Sequence, residues 1–233
     1  MVNILVTSGG TMEFIDDVRV ISNISTGKLG YKIAESLAKV EGYKIHYVHS
    51  KTAVVPSVVD PYLQCYEVRT AQDTFDMMKK IMEENQIHAV VHCMAVSDFT
   101  FKRDGAVKLK SNDPEAFIGY MRKTITKNPK IISFIKTWDP RTILIGFKFE
   151  VGFSFEQLKE AAVKSIETNG CDLVIANDKE EMVKAQEHIA HFFFSNDIKE
   201  QFDITDGTVL GKDDIAWKIN YFLNKVLTLT EDL

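Results

Sequence analysis

The chain has 233 residues, of which 45% are apolar and 26% charged, a composition that excludes a disordered or low-complexity protein. Its formal net charge of -5 argues against a general affinity for nucleic acid. No run approaches the ~18–20 apolar residues of a membrane helix. The N-terminus lacks the basic and apolar regions of a secretory signal, so the expected compartment is the cytoplasm.

Strands and helices alternate along the chain. Val2–Val6 is an apolar run that reads as a buried strand. It leads into the small-residue loop Thr7-Ser8-Gly9-Gly10-Thr11, and later into Asn23-Ile24-Ser25-Thr26-Gly27-Lys28-Leu29-Gly30. A helix follows over Lys28–Val40, with Leu29, Ile33 and Leu37 on one stripe. Tyr43–His49 and Leu63–Val68 are the second and third strands. Thr70 to Asp73 spells a capping box, and Phe75, Met78 and Met82 give its helix an apolar face. His88–His92 is the fourth strand. Asn128-Pro129 reads as a helix start with proline at the first helical position, and Ile131, Ile132 and Ile135 line that helix. Thr142–Phe147 is the fifth strand. Ser154 to Gln157 is another capping box, for a helix to about Thr168. Asp172–Ala176 is the sixth strand, and Asp213–Leu229 closes the chain as a helix with Ile215, Ile219, Phe222 and Val226 inward.

This alternation predicts an α/β fold: a Rossmann-like parallel sheet with helices on both faces. Two segments do not fit it. Residues 97–127 are polar and long for a plain connection. Residues 188–206 read as a hairpin, Ile189–Ser195 with Gln201–Ile204. Both are assigned to an arm or flap, for dimerisation or for covering the site. One domain spans 1–233, with the main sheet in 1–96, 128–187 and 207–233. Cys65, Cys93 and Cys171 are widely spaced and sit in or beside apolar runs, which reads as buried reduced thiols. His88 and His92 lie in a strand, where a four-residue spacing does not close on one metal, so they read as packing or edge residues.

Parallel sheets bind ligands at the carboxyl ends of their strands, and the residues that suggest chemistry fall there. A small-residue loop followed by a helix opened by glycines presents backbone N–H groups to phosphate. It is neither the GxGxxG fingerprint nor the GxxxxGK[ST] of a P-loop. Glycine in a first helical turn costs about 0.5–1 kcal/mol, and Gly27 and Gly30 together suggest that something approaches the backbone closely. Phosphate is the natural candidate, and Lys28 could add charge. The Asn23 amide could bind a developing oxyanion. Asp98, just past the fourth strand, suits a metal, a substrate amide or a simple cap. Val107-Lys108-Leu109-Lys110 puts two lysines on one face if extended, either an edge guard or a clamp on a phosphorylated or carboxylate substrate. Past the fifth and sixth strands, Phe147 could stack on a base and Asn177 could read one.

The motifs Ser8–Thr11, Val18-Arg19-Val20-Ile21-Ser22-Asn23 through Gly30, Ala95–Phe99, Lys108–Lys110, Asn128-Pro129, Gly146–Glu150 and Asp172–Asp178 occur in this order. In that order they resemble the phosphopantothenate–cysteine ligase family of coenzyme A biosynthesis. The resemblance implies a two-step ligation. The carboxylate of 4'-phosphopantothenate attacks the α-phosphate of a nucleoside triphosphate, giving an acyl-nucleotide and pyrophosphate. The amine of cysteine then attacks the acyl carbon and releases the nucleoside monophosphate. By resemblance, Asn23 holds and converts the acyl intermediate, and Lys108 belongs to a loop that closes over the site. Arg19 reaches phosphopantothenate, and Ala95, Asp98 and Lys110 join it on the substrate side. Gly9, Gly10, Ser25, Gly27, Gly30, Asp98, Lys108, Pro129, Lys130, Ile131 and Ile132 fall at nucleotide positions, and Phe147 and Asn177 at the base. The form of the second motif resembles the bacterial, CTP-dependent type, so the implied cosubstrate is CTP with Mg²⁺, and the implied assembly a homodimer. The chain starts at the ligase's first strand, so a stand-alone ligase without flavin is expected.

The pattern departs from the family in places. Ser111 stands where a further loop lysine is common. Before the sixth strand, Lys164 matches only loosely one of two lysines, with Thr168 or Asn169 at the other place. Two other classes share features with this sequence. YxxxK occurs at Tyr47–Lys51 and Tyr221–Lys225, as in an NAD(P)-dependent short-chain reductase, but in a strand end and the last helix, and no GxGxxG follows the first strand. A non-catalytic nucleotide-binding module would leave Asn23 and the loop lysines without purpose.

Overall fold

The computed structural model describes residues 1–57, 60–103, 108–110 and 112–228. Val107, Ser111 and Leu229 lie outside them. In chain order the first elements are β1 (Val2–Ser8), β2 (Met12–Phe14), β3 (Val20–Ser22), α1 (Lys28–Ala38), β4 (Tyr43–Ser50), β5 (Leu63–Val68) and α2 (Ala71–Glu84). There follow β6 (Ile87–His92), β7 (Phe99–Phe101), α3 (Pro114–Thr124), β8 (Ile125–Lys127), α4 (Ile132–Trp138), β9 (Ile143–Glu150) and α5 (Phe155–Asn169). The last are β10 (Leu173–Asp178), α6 (Lys179–Ala185), β11 (Ile189–Phe194), α7 (Asn196–Phe202), β12 (Gly207–Leu210) and α8 (Lys212–Thr228).

Eight strands form one sheet in the order β12-β11-β10-β9-β6-β1-β4-β5. The pairs from β5 through β10 are all parallel, and β11 and β12 add two antiparallel strands at one edge. Burial on both faces explains the apolar runs of the central strands. On one face Ile4, Val6, Ile45 and Ile175 meet Ile33 and Leu37 of α1 and Ile215, Ile219 and Phe222 of α8. On the other, Leu5, Val48, Val90 and Val174 meet Met78 of α2, Ile135 of α4 and Leu158 of α5. The parallel α/β sheet with helices on both faces is as the alternation predicts. Both capping boxes form, Thr70 with Asp73 and Ser154 with Gln157.

The hairpin of residues 188–206 is corrected. Ile189–Phe194 does form a strand, but it pairs with β10 inside the main sheet, and its second partner is β12, not Gln201–Ile204. Ser195 caps α7 by accepting from the Ile198 amide, and Ile198 and Phe202, one helical turn apart, are both buried. The segment therefore belongs to the sheet and not to an arm. Residues 97–127 do stand apart, with β7 pairing antiparallel to β8 and α3 between them. A second small hairpin, β2 with β3, was not anticipated.

The start of α4 is also displaced. Asn128 donates its backbone N–H to Asp98 O at 2.8 Å and its side-chain amide to Ser97 O at 2.9 Å, so it ties loops instead of capping a helix. The first turn closes only from Lys130, whose carbonyl accepts from Ser133 N at 3.0 Å. Of the cysteines, Cys171 is buried and Cys93 half-buried, but Cys65 is exposed on the edge strand β5.

Candidate active site

β1 connects to β4 on one side and has β6 on the other, so the strand order reverses at β1 and β6. Open α/β sheets leave their ligand crevice at such a point, outside the carboxyl ends of the strands. Here the loops after β1 and β6 are laced together. Ala95 N donates to Gly9 O at 2.8 Å, Thr11 N to Ala95 O at 3.2 Å, and Ser97 N to Thr11 Oγ1 at 2.9 Å.

The glycine pair at the start of α1 has a nearer cause than a ligand. Gly27 has φ 68°, a left-handed conformation that favours glycine, and its carbonyl accepts from Ser8 Oγ at 2.9 Å. A Cβ on Gly30 would lie 2.6 Å from Ser8 Oγ and 3.2 Å from Thr7 O. What approaches the Gly30 backbone is the end of β1. That packing draws the α1 N-terminus against Gly9, whose amide N is 3.2 Å from where a Gly27 Cβ would stand. Gly9, Gly10, Gly27 and Gly30 are thus brought together, with Ser25 half-buried and Lys28 exposed beside them.

Asn23 spans the same crevice. Its side-chain Nδ2 donates to Ala95 O and Val96 O, each at 3.2 Å, although the residue is exposed. Its backbone carbonyl crowds Gly10, where a Cβ would come within 2.5 Å. The Asn23 amide is therefore fixed at the junction of the two loops. Asp98 is exposed three residues past Ala95, and the Asn128 bonds to Asp98 O and Ser97 O bring Pro129 and Lys130 to the same rim. Ile131, by contrast, is only 2% exposed and serves the core. Ile132 packs on β9, its Cδ1 3.0 Å from where a Gly146 Cβ would be.

The cationic residues gather on the β2–β3 hairpin. Arg19 Nη1 donates to Asp16 Oδ2 at 2.6 Å and to Leu109 O at 3.3 Å, and its guanidinium lies 5.5 Å from the centre of the Phe117 ring. Leu109 sits between Lys108 and Lys110, both exposed. Asp16, absent from the sequence reading, is 1% exposed and binds this group together. The signal was present: a carboxylate pair, Asp16-Asp17, directly before Val18-Arg19 in a stretch with too many apolar neighbours to be a free turn.

Phe147 and Asn177 are not delivered to an open surface. Phe147 is half-buried against the core of the α1 and α8 face. Asn177 is 5% exposed, and its side-chain amide donates to the backbone of Ile189. The ring that stands open at the end of β9 is Phe149, 58% exposed and opposite Asn177 in register.

Among the described residues no three His, Cys, Asp or Glu side chains cluster as a metal site. His88 and His92 are used in packing: His88 Nδ1 accepts from Asn3 N at 3.1 Å, and His92 Nδ1 meets Thr7 Oγ1 at 3.0 Å. Burial pushes the Cys93 and Cys171 thiols up to about 12, so neither is a ready nucleophile. No helix among the described residues is long and apolar enough to cross a membrane.

Fold and site define a Rossmann-like α/β protein with its candidate site at the β1–β6 reversal and Arg19, Lys108 and Lys110 beside it. The chain belongs to the family described as DNA/pantothenate metabolism flavoprotein C-terminal domain, whose pattern matches residues 1–226. It is 38% identical over 174 residues to the "Coenzyme A biosynthesis bifunctional protein CoaBC" of Thermococcus kodakarensis, covering 75% of this chain and 40% of that protein. A protein of the same description from Methanocaldococcus jannaschii is 28% identical over 202 residues, 87% of this chain and 44% of that one. The chain thus spans less than half the length of these relatives. Among solved structures, the "DNA/Pantothenate Metabolism Flavoprotein from Streptococcus pneumoniae" superposes with a TM-score of 0.80 at 32% identity, covering 98% of this chain and all of that one. The "Cab2 mutant H337A complex with phosphopantothenate-cysteine" shares the fold, with a TM-score of 0.72 at 17% identity over 98% of this chain and 89% of that one.

Proposed function

We propose that this chain ligates 4'-phosphopantothenate to L-cysteine in coenzyme A biosynthesis, with CTP as the activating cosubstrate. The observation that carries this reading is the meeting of Asn23 with Ala95 and Val96 at the strand-order reversal, beside the Gly9–Gly27 turn. Family membership and the relatives named for coenzyme A biosynthesis support it.

A carboxylate resists an amine because its anionic carbon is a poor electrophile. In the first step its oxygen bonds to the α-phosphorus while the bond to pyrophosphate breaks, giving an acyl-cytidylate. In the second, the cysteine amine bonds to the acyl carbon, loses a proton, and CMP leaves. Both steps are redox-neutral, so flavin has no part in them. The N–H groups at the start of α1 and the loop after β1 face the phosphates, with Gly9, Gly10, Ser25, Gly27 and Gly30. Asn23 is placed to hold the acyl group, and Arg19, Lys108 and Lys110 to hold the acid, with Ala95 and Asp98 at the junction. Pro129, Lys130 and Ile132 border the nucleotide, and Ile131 supports them from the core. The base is assigned to the rim at the ends of β9 and β10, where Phe149 offers the open ring; Phe147, packed on the core, and Asn177, bonded to Ile189, support that rim from within. Mg²⁺ supplies charge neutralisation at the phosphates when bound. The residues suit an ion held mostly by phosphate oxygens and water, with Asp98 as the one rim carboxylate named for it. We assign the protein to the cytoplasm, and to a homodimer on the apolar residues exposed by the β2–β3 hairpin and the arm.

The test is turnover. Protein, Mg²⁺, phosphopantothenate, cysteine and CTP should yield pyrophosphate and CMP, with ATP a poorer substitute. Asn23→Asp should keep nucleotide binding nearly intact while crippling the acyl-nucleotide step. NADPH oxidation instead would favour a reductase, and no product with any nucleotide would leave only a binding module.

A further inference from the structure

Among the described residues, the Asp16 carboxylate is the one buried acid that touches both candidate substrate-binding segments. Oδ1 accepts from Val18 N at 2.9 Å and Arg19 N at 2.7 Å, and Oδ2 from Arg19 Nη1 at 2.6 Å and Leu109 N at 3.1 Å. Arg19 Nη1 in turn reaches Leu109 O at 3.3 Å. Both peptide units around Leu109 are therefore held: the one joining it to Lys108 by Asp16, the one joining it to Lys110 by Arg19. The adjoining Asp17 pairs with Arg103, which begins the same stretch. Both lysines are exposed, and neither side chain takes part in these bonds.

We propose that Asp16 is a positioning residue for capture of the anionic acid substrate, seating the Lys108–Lys110 segment on the hairpin so that these lysines and Arg19 act on one ligand. Rested on the ligase reading above, this says how three cations from two distant segments come to act together. A free loop would lose the entropy of ordering at each binding event. The buried carboxylate removes that loss beforehand. Burial pushes the Asp16 carboxyl up, but the amides of Val18, Leu109 and Arg19 and the Arg19 charge pull it down further. The net shift is downward, so the group is an anion at neutral pH. A neutral isostere cannot replace it, because an amide turns at least one acceptor into a donor facing donors.

The experiment compares wild type, Asp16→Asn and Leu109→Pro. The second variant removes the amide N–H that Asp16 accepts, together with the leucine side chain and some freedom at Lys108, and leaves the carboxylate and its hairpin bonds in place. Two readouts are taken: KM for phosphopantothenate, CTP and cysteine, and the rate of native-state trypsin cleavage after Lys110. The expected result is a rise of about tenfold or more in KM for phosphopantothenate in both variants, with KM for CTP within about twofold. Cleavage after Lys110 should quicken by a similar factor. A purely structural role would instead lower the melting temperature of Asp16→Asn and spare Leu109→Pro. That outcome, or a wild-type phosphopantothenate KM in both variants, overturns the proposal. Wild-type protein that makes no product at all would sink the ligase reading, and the trypsin rates would still decide whether Asp16 seats the segment.

Discussion

Alanine in place of Gly30 would gain about 1 kcal/mol of helix propensity. Its methyl would also lie 2.6 Å from Ser8 Oγ and 2.8 Å from Ser8 Cβ. Ser8 cannot swing aside without breaking its 2.9 Å bond to Gly27 O, the contact that seats the α1 N-terminus. Overpacking of this kind costs about 1–3 kcal/mol, so the clash outweighs the propensity. Net of the propensity gain, the middle of that range leaves a loss of about 1 kcal/mol, so Gly30→Ala should lower the melting temperature by about 2–4 °C, at about 2–4 °C per kcal/mol for a chain of this size. It should also weaken nucleotide binding. A variant as stable as wild type in a thermal melt would remove the packing argument for this glycine. The residue was singled out in the sequence for the right reason, a close approach to backbone. The partner expected there, phosphate, differs from the one observed, the end of β1, because the register of α1 over β1 is a tertiary fact.

Two elements leave apolar side chains in solvent where nothing in one chain covers them. On and beside the β2–β3 hairpin, Val20 and Ile21 are each 42% exposed and Ile24 fully so. On the arm, Phe99 is 53% and Ile125 45% exposed. β2, the partner of β3, lies against β7, which brings the hairpin and the arm together. Contiguous exposed apolar surface on a folded domain commonly marks an interface. Sedimentation of the wild-type protein at micromolar concentration should give a dimer. The double variant Val20→Asp with Phe99→Asp should give a folded monomer. A monomeric wild type would end the dimer assignment. These elements were also the hardest to read in the sequence. Strands of three residues carry too little alternation to register, so the strand-like stretch before Asn23 does not by itself reveal its pairing with β2. The 188–206 segment failed in the opposite way. Ile189–Phe194 is buried along its whole length, so its strand was recognised. Its placement in the sheet depended on Ser195 starting a helix, a capping signal overlooked beside the stronger apolar run. Long, capped elements such as α2 and α5 were legible because their boundaries are written locally.

At the scale of the whole molecule, the sheet carries a built-in weakness to acid. His92 is 8% exposed at the end of β6, between the two layers of helices, and burial lowers its pKa from 6.5 to about 4. Thr7 Oγ1 accepts from Met94 N at 3.1 Å, which leaves the hydroxyl proton for His92 Nδ1 and assigns the ring as the neutral acceptor. His46, 1% exposed on β4, is lowered to about 4 by the same cause, with Lys44 adding to it. A histidine held neutral binds fewer protons folded than unfolded. Its contribution is therefore complete above pH 6.5 and is lost as pH falls from there to about 4. At about 1.4 kcal/mol per pH unit, His92 accounts for about 3 kcal/mol across that window. That is a large share of the ~5–15 kcal/mol that holds a domain folded. His92→Gln keeps an acceptor for Thr7 and cannot take up a proton. Urea titrations at pH 7 and pH 4.5 should show the wild type losing about 2–3 kcal/mol more than the variant over that interval. The variant should retain a shallower slope from His46. Parallel losses in the two proteins would mean that His92 is hydrated or protonated in the native fold, and the acid sensitivity would then lie elsewhere in the sheet.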